Sequence, residues 1–120
     1  MAATPEAAAP TISTHVLDTE RGAPAAGVHV TLSRVGDDGR PIRMTQALTD
    51  ADGRVRDLLE RPLTAGDYRL EFRLGDHGPD GPDEAFFRRL SLDLRVTDIT
   101  RSYHVPLLLS SFGMTTYRGS

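Results

Sequence analysis

Tyr68-Arg-Leu-Glu-Phe-Arg-Leu74 alternates apolar and charged residues without a break. Side chains repeat every two residues along a β-strand, so this pattern predicts a strand with one buried and one solvated face. The same alternation occurs in Val28-His-Val-Thr-Leu-Ser33 and in Leu90-Ser-Leu-Asp-Leu-Arg-Val96. We therefore predict three half-buried strands in the middle of the chain.

Turn-forming residues separate the strand-like segments at short intervals. Glycine and aspartate recur at Arg21-Gly22, Ala26-Gly27, Asp37 to Pro41, Asp50 to Gly53 and Ala65 to Asp67. Such residues supply the positive φ angles and side-chain hydrogen bonds that tight turns need. Short strands at this spacing predict an all-β sandwich, and the sequence contains no internal repeat.

The composition limits the size of the core and the kinds of partner. The chain has 120 residues, of which 38% are hydrophobic and 6% aromatic, so we expect one domain with a core mainly of Leu and Val. A net charge of −3 provides no basic field, so neither nucleic acid nor a membrane is expected as a partner. The absence of cysteine excludes disulfides and thiolate chemistry.

Residues 1–10 are predicted to form a disordered tail, and residues 11–120 the folded domain. The first ten residues have neither the positive segment nor the apolar segment of a secretion signal. The chain also lacks an apolar run of about 18 residues, the length that a membrane-spanning helix needs. A cytoplasmic location is therefore expected.

Two histidines lie in strand-like segments near opposite ends of the chain. In Ile12-Ser-Thr-His15-Val-Leu-Asp18 the alternation puts His15 on the same face as Leu17. In Tyr103 to Leu109 it puts His104 on the same face as Leu108. Both faces combine a titratable group with apolar residues, so each is expected to be covered by another subunit.

A lone histidine in a strand is most often a surface or hydrogen-bonded residue, and this is the default interpretation of His29. The same interpretation applies to His77, which lies in a predicted loop. Arg54, which follows the Asp52-Gly53 turn, is a solvated arginine when it is taken alone. The histidines lack the short spacings of zinc ligands, so neither a metal nor another cofactor is expected. The sequence also lacks a phosphate-binding loop and a nucleophile elbow.

Several motifs together resemble the 5-hydroxyisourate hydrolases, the transthyretin-like enzymes of urate breakdown. The resemblance extends from about Thr11 to Ser120, with the motifs in the expected order. They are Ile12 to Thr19 followed by Gly22 and Pro24, Asp52-Gly53-Arg54, Ala65 to Tyr68, His104 to Leu108, and Tyr117-Arg-Gly-Ser120. The last motif is the most specific, because it separates these enzymes from transthyretin, the hormone carrier.

This resemblance implies a prealbumin-like sandwich of two four-stranded sheets with at most one short helix. It also implies a homotetramer, a dimer of dimers, with active sites in the channel where the dimers meet. The implied reaction converts 5-hydroxyisourate, a small-molecule substrate, to 2-oxo-4-hydroxy-4-carboxy-5-ureidoimidazoline. The family's catalytic residues fall on His15, Arg54, His104 and Ser120, and its substrate-binding residues on His15, Arg54, Tyr117, Arg118 and Ser120.

The chain departs from the family pattern in two places. In Ser111 to Met114, where a proline and aromatic residues are more usual, the predicted channel wall is altered. Residues 76–83 are rich in glycine and proline where the family has its short helix. Only Asp83 to Arg88 is left to form about one helical turn.

The residue types suit the implied hydrolysis. Attack of water on a ring acyl carbon needs a base, and a histidine with a pKa of about 6.5 serves at neutral pH. A guanidinium such as that of Arg54 stabilises the developing oxyanion. Either His15 or His104 is the base, while the other orients water or substrate, and Ser120 with Arg118 binds the ring.

Two alternatives without catalysis share parts of these motifs. A transthyretin-like carrier uses the same channel to hold a small aromatic ligand, but it does not need two histidines and Arg54 together. A sandwich module of the carboxypeptidase-regulatory type shares Asp52-Gly53-Arg54 but not the motifs near the two ends.

Overall fold

The computed structural model describes residues 9–75 and 84–119. In this part of the chain all regular structure is β-strand, and no helix long and apolar enough to cross a membrane is found. The strands are β1 (Ile12–Asp18), β2 (Ala23–Pro24), β3 (His29–Val35), β4 (Pro41–Leu48), β5 (Arg54–Val55), β6 (Gly66–Arg73), β7 (Arg89–Val96), β8 (Tyr103–Leu109) and β9 (Met114–Thr116).

One sheet has the strand order β4-β3-β6-β7 and is antiparallel throughout. The three alternating segments of the sequence are β3, β6 and β7, which are neighbours in this sheet. On its outer face Arg69 donates to Asp93 and Arg95 to Asp67, each at 2.9 Å. These ion pairs are typical of a solvated face, as the charged half of the alternation predicts.

Strand β4 is absent from the sequence prediction. It lies at the edge of the sheet, where Ile42 and Leu48 are 68% and 55% exposed. An edge strand with little buried surface does not need the regular apolar alternation by which the other strands are recognised.

The second sheet has the order β2-β1-β8-β9, and β5 also pairs with β1. Two short strands, β2 and β5, share the edge of β1 that does not face β8. This sheet therefore has five strands. Strands β1 and β8 are parallel, so segments from opposite ends of the chain lie side by side.

The core fills the space between the two sheets. Leu and Val predominate in it, which confirms the predicted aliphatic core, and Tyr68 and Phe72 are fully buried among them. Ile12 and Val16 of β1 and Leu107 of β8 also point inward and are fully buried. The alternate residues of these two strands consequently face outward.

Some predicted features fall outside the described residues. These are most of the predicted N-terminal tail (residues 1–8), residues 76–83 with His77 and Asp83, and Ser120. Residues 84–88, the described part of the predicted helical turn, contain a turn and a bend but no helix.

Candidate active site

The parallel pairing of β1 with β8 brings His104 beside Ser13. These two residues are register partners, and His15 lies two residues further along β1 on the same outer face. The Ser13 Oγ and the His104 Nδ1 are hydrogen-bonded at 2.8 Å. All three residues are half-buried.

Strand β5 adds Arg54 to this face. In the antiparallel pairing of β5 with β1, Arg54 is the register partner of His15. The strand is held by the backbone hydrogen bond from the Val16 N–H to the Gly53 carbonyl, at 2.7 Å. Arg54 therefore approaches the histidines because a two-residue strand is fixed to the edge of β1.

A tight turn positions β5. The Asp50 carboxylate accepts the backbone N–H groups of Asp52 and Arg54, at 2.9 and 3.0 Å. Gly53 has φ of 75°, and a Cβ there would collide with the carbonyl oxygen of Val16. Glycine is required at this position by both its conformation and its closeness to β1. The hydrogen bond from Arg54 is the main reason why the pKa of Asp50 is lowered.

The electrostatics of the face keep His104 uncharged. Burial lowers the pKa of the His104 imidazole, and the charges of Arg54 and His15 lower it further. A cationic imidazole is disfavoured in this environment, which favours the neutral ring that can accept a proton.

The segment after β9 returns to His104. The Gly119 N–H donates to the backbone carbonyl of His104 at 2.7 Å. The guanidinium of Arg118 lies 4.7 Å from the ring centroid of Tyr103, and Tyr103 is buried on the core side of β8. Arg118 is thus on the side of β8 opposite His104, whereas Gly119 lies against that residue. Tyr117 is 54% exposed.

The structure thus brings together three of the predicted site residues, His15, Arg54 and His104. Within one chain it does not bring Arg118 to them. It adds Ser13 and Gly119, to which the sequence analysis gave no role. Ser13 shares the outer face of β1 with His15, but only the pairing with β8 shows its contact with His104.

An enclosed space near the tail lies away from these histidines. A cleft of about 300 Å³ opens between β7 and the β8–β9 edge, and Leu92, Tyr103 and Arg118 contribute to its lining. This cleft is mostly apolar and has no histidine among its walls. In the described ranges, no group of three His, Asp or Glu side chains is arranged to hold a metal ion.

Replacing Arg54 with glutamine should raise the pKa of His104, because the variant lacks a nearby positive charge that disfavours the imidazolium. The measurement is an NMR titration of the histidine ring signals, with His104→Asn used to assign them. Arg56→Gln is the matched control, since Arg56 is an exposed neighbour that pairs with Asp52. An unchanged or lower His104 pKa in Arg54→Gln would contradict the arrangement of charges described above.

Comparisons with known proteins find a matching family model and similar sequences and structures. Residues 12–119 match the family model described as HIUase/Transthyretin family. A 5-hydroxyisourate hydrolase from Caulobacter vibrioides is 43% identical over 114 residues, which cover 91% of this chain and 97% of the relative.

Two solved structures share the fold. The Klebsiella pneumoniae 5-hydroxyisourate hydrolase is 37% identical with a TM-score of 0.77, and the match covers 92% of this chain and 99% of that one. Sea bream transthyretin in complex with thyroxine is 28% identical with a TM-score of 0.81, over 89% of this chain and 92% of that one.

Proposed function

Since the chain belongs to the HIUase/transthyretin family, we propose that it is a hydrolase that opens the ring of 5-hydroxyisourate. The observation that carries this proposal is the convergence of His15, Arg54 and His104 on one outer sheet face. The fold alone favours neither enzyme nor carrier, because the sea bream carrier shares it. A binding site for an aromatic ligand has no need of two imidazoles and a guanidinium at adjacent register positions.

The proposed reaction is addition of water to a ring acyl carbon. His104 Nε2 takes a proton from water as the water oxygen bonds to that carbon, and Arg54 stabilises the negative charge on the carbonyl oxygen. When the tetrahedral intermediate collapses, the ring C–N bond breaks and the imidazolium returns its proton to the nitrogen. The product is 2-oxo-4-hydroxy-4-carboxy-5-ureidoimidazoline.

Two observations support His104 rather than His15 as the base. Burial and the nearby charges lower its pKa, which favours the neutral form, and its Nδ1 is hydrogen-bonded to the Ser13 hydroxyl. His15, the register partner of Arg54, is proposed to orient the water or the substrate.

The tail is proposed to complete the substrate-binding part of the site. Tyr117 and Ser120 are the proposed contacts to the ring. Arg118, which the resemblance also implies as a contact, is proposed to act by anchoring the tail through its stacking on Tyr103.

The proposed assembly is a homotetramer with the histidine face turned toward another subunit. Leu17 and Leu108 are register partners beside the histidines, and Phe112 in the β8–β9 turn is 95% exposed. Apolar groups on an open face are typical of an interface between subunits. A second subunit would also exclude bulk water from the reacting groups, which strengthens the interactions of Arg54.

Light scattering at micromolar concentration should report four chains. Leu108→Glu should dissociate the assembly and reduce turnover, because it places a charge in the proposed interface. Leu48→Glu is the matched control, since Leu48 is an exposed leucine on the other sheet, and this variant should remain tetrameric. A stable monomer with full activity would rule out a shared channel.

The direct test of the reaction is the ultraviolet absorbance of freshly generated 5-hydroxyisourate. The protein should accelerate the loss of this absorbance in proportion to its concentration. A carrier would bind the compound and leave the rate of loss unchanged, which would refute the proposed function.

A further inference from the structure

The side chain of Ser13 has a single described hydrogen-bond partner, the Nδ1 atom of His104, at 2.8 Å. Ser13 and His104 are 91 residues apart in the sequence and are register partners in the parallel β1–β8 pair. This contact is therefore fixed by the pairing of two strands and not by a flexible loop.

The opposite edge of the same ring is bounded by Gly119. A Cβ added to Gly119 would lie 2.9 Å from the His104 Cδ2, so the glycine backbone is packed against that edge. Nδ1 and Cδ2 are the two ring atoms that exchange places when an imidazole flips about its Cβ–Cγ bond. A flipped ring would present a carbon to Ser13 and lose the hydrogen bond.

We propose that Ser13 is a positioning residue for His104. The Ser13 hydroxyl accepts a hydrogen bond from the Nδ1–H of His104, and this leaves Nε2 unprotonated as the reacting nitrogen. This inference rests on the proposed function, in which His104 takes a proton from water. A neutral imidazole carries one proton, so a proton on Nδ1 makes Nε2 the acceptor. The serine hydroxyl then fixes both the orientation and the tautomer of the ring.

The test compares Ser13→Ala with Ser13→Thr. Ser13→Ala should lower kcat by about 10- to 100-fold, the usual effect of removing the partner that orients a functional histidine, with little change in KM. Ser13→Thr keeps the hydroxyl and should restore most of the activity. Equal kcat in the wild type and Ser13→Ala would overturn the proposal.

Ser102→Ala is the matched control. The Ser102 Oγ accepts the Thr11 N–H at 3.0 Å, so this hydroxyl also links the start of β1 to the start of β8 across 91 residues. It does not contact His104, and its removal should leave kcat within about twofold of the wild type. A loss as large as that of Ser13→Ala would show that any link between these strands matters, and would refute a specific effect on the ring.

A readout without substrate separates this inference from the proposed function. The ¹⁵N chemical shifts of the His104 ring distinguish the two tautomers, and they should show Nδ1–H in the wild type and in Ser13→Thr. In Ser13→Ala the tautomers should be mixed. A wild-type ring with its proton on Nε2 would overturn the proposal even if the enzyme is active. Failure to hydrolyse 5-hydroxyisourate would refute the function but leave this ring geometry to be judged by NMR.

Discussion

His104→Asn should lower kcat for 5-hydroxyisourate by about 10²- to 10⁴-fold, the usual contribution of general-base catalysis. Asparagine keeps the polarity and the approximate size of the side chain, so Ser13 retains a possible partner and the sheet is undisturbed. The variant loses the nitrogen that is proposed to accept the proton. Steady-state kinetics on protein shown by circular dichroism to be folded measure this effect.

Two further histidine variants are compared with His104→Asn, one at the site and one outside it. His15→Asn should also reduce turnover, because His15 is the register partner of Arg54 at the site. His29→Asn is the control, since His29 is in the other sheet and should not affect the reaction. Turnover near that of the wild type in both His15→Asn and His104→Asn would exclude the imidazole mechanism.

The wild-type activity should depend on pH in a direction set by His104. The base works when it is neutral, so kcat should fall as the pH drops through the His104 pKa. Since burial and the charges of Arg54 and His15 lower that pKa, the loss should occur at a lower pH than for an unperturbed histidine.

Deleting Tyr117 to Ser120 should lower turnover by at least about 100-fold, because small displacements of a catalytic group have effects of that size. The deletion removes the Gly119 hydrogen bond to the His104 carbonyl and the Arg118 contact with Tyr103. β9 ends at Thr116, so every strand that the structure describes is retained. The variant should therefore keep its β-sheet circular dichroism.

A point variant tests the same segment without shortening it. Gly119→Ala places a methyl group 2.9 Å from the His104 Cδ2, so either the ring or the tail must move. This variant should lose activity at an unchanged oligomeric state, as measured by light scattering. Full activity of the folded deletion variant would show that the tail does not belong to the site.

The sequence predicts which face of a strand a residue occupies, but not which strand lies next to it. A period of two placed His15 and His104 on outward faces, and the structure agrees, since Ile12, Val16 and Leu107 fill the inward positions. The contact between Ser13 and His104 depends on a parallel register across 91 residues, and no local pattern encodes that register.

The positions of Arg54 and Arg118 depend on tertiary contacts that local sequence patterns do not predict. The turn around Asp52 and Gly53 was predictable, but the attachment of the two-residue β5 to β1 depends on the close approach of Gly53 to Val16. For Arg118, the resemblance implied a contact with substrate. The stacking of its guanidinium on Tyr103 depends on tertiary structure that a motif does not reveal.

The parallel pairing of β1 with β8 has a consequence for the biosynthesis of the enzyme. The ribosome synthesises β1 first, but β8, its parallel partner strand, is complete only after residue 109. Gly119, which donates a hydrogen bond to the His104 carbonyl, is synthesised later still. The nascent chain therefore carries β1 with an unpaired edge through most of translation, and the closure of so long a loop slows the pairing. In the proposed site His104 joins His15 and Arg54 only at this late stage, so a translation product that stops before β8 should lack hydrolytic activity and expose an edge prone to aggregation.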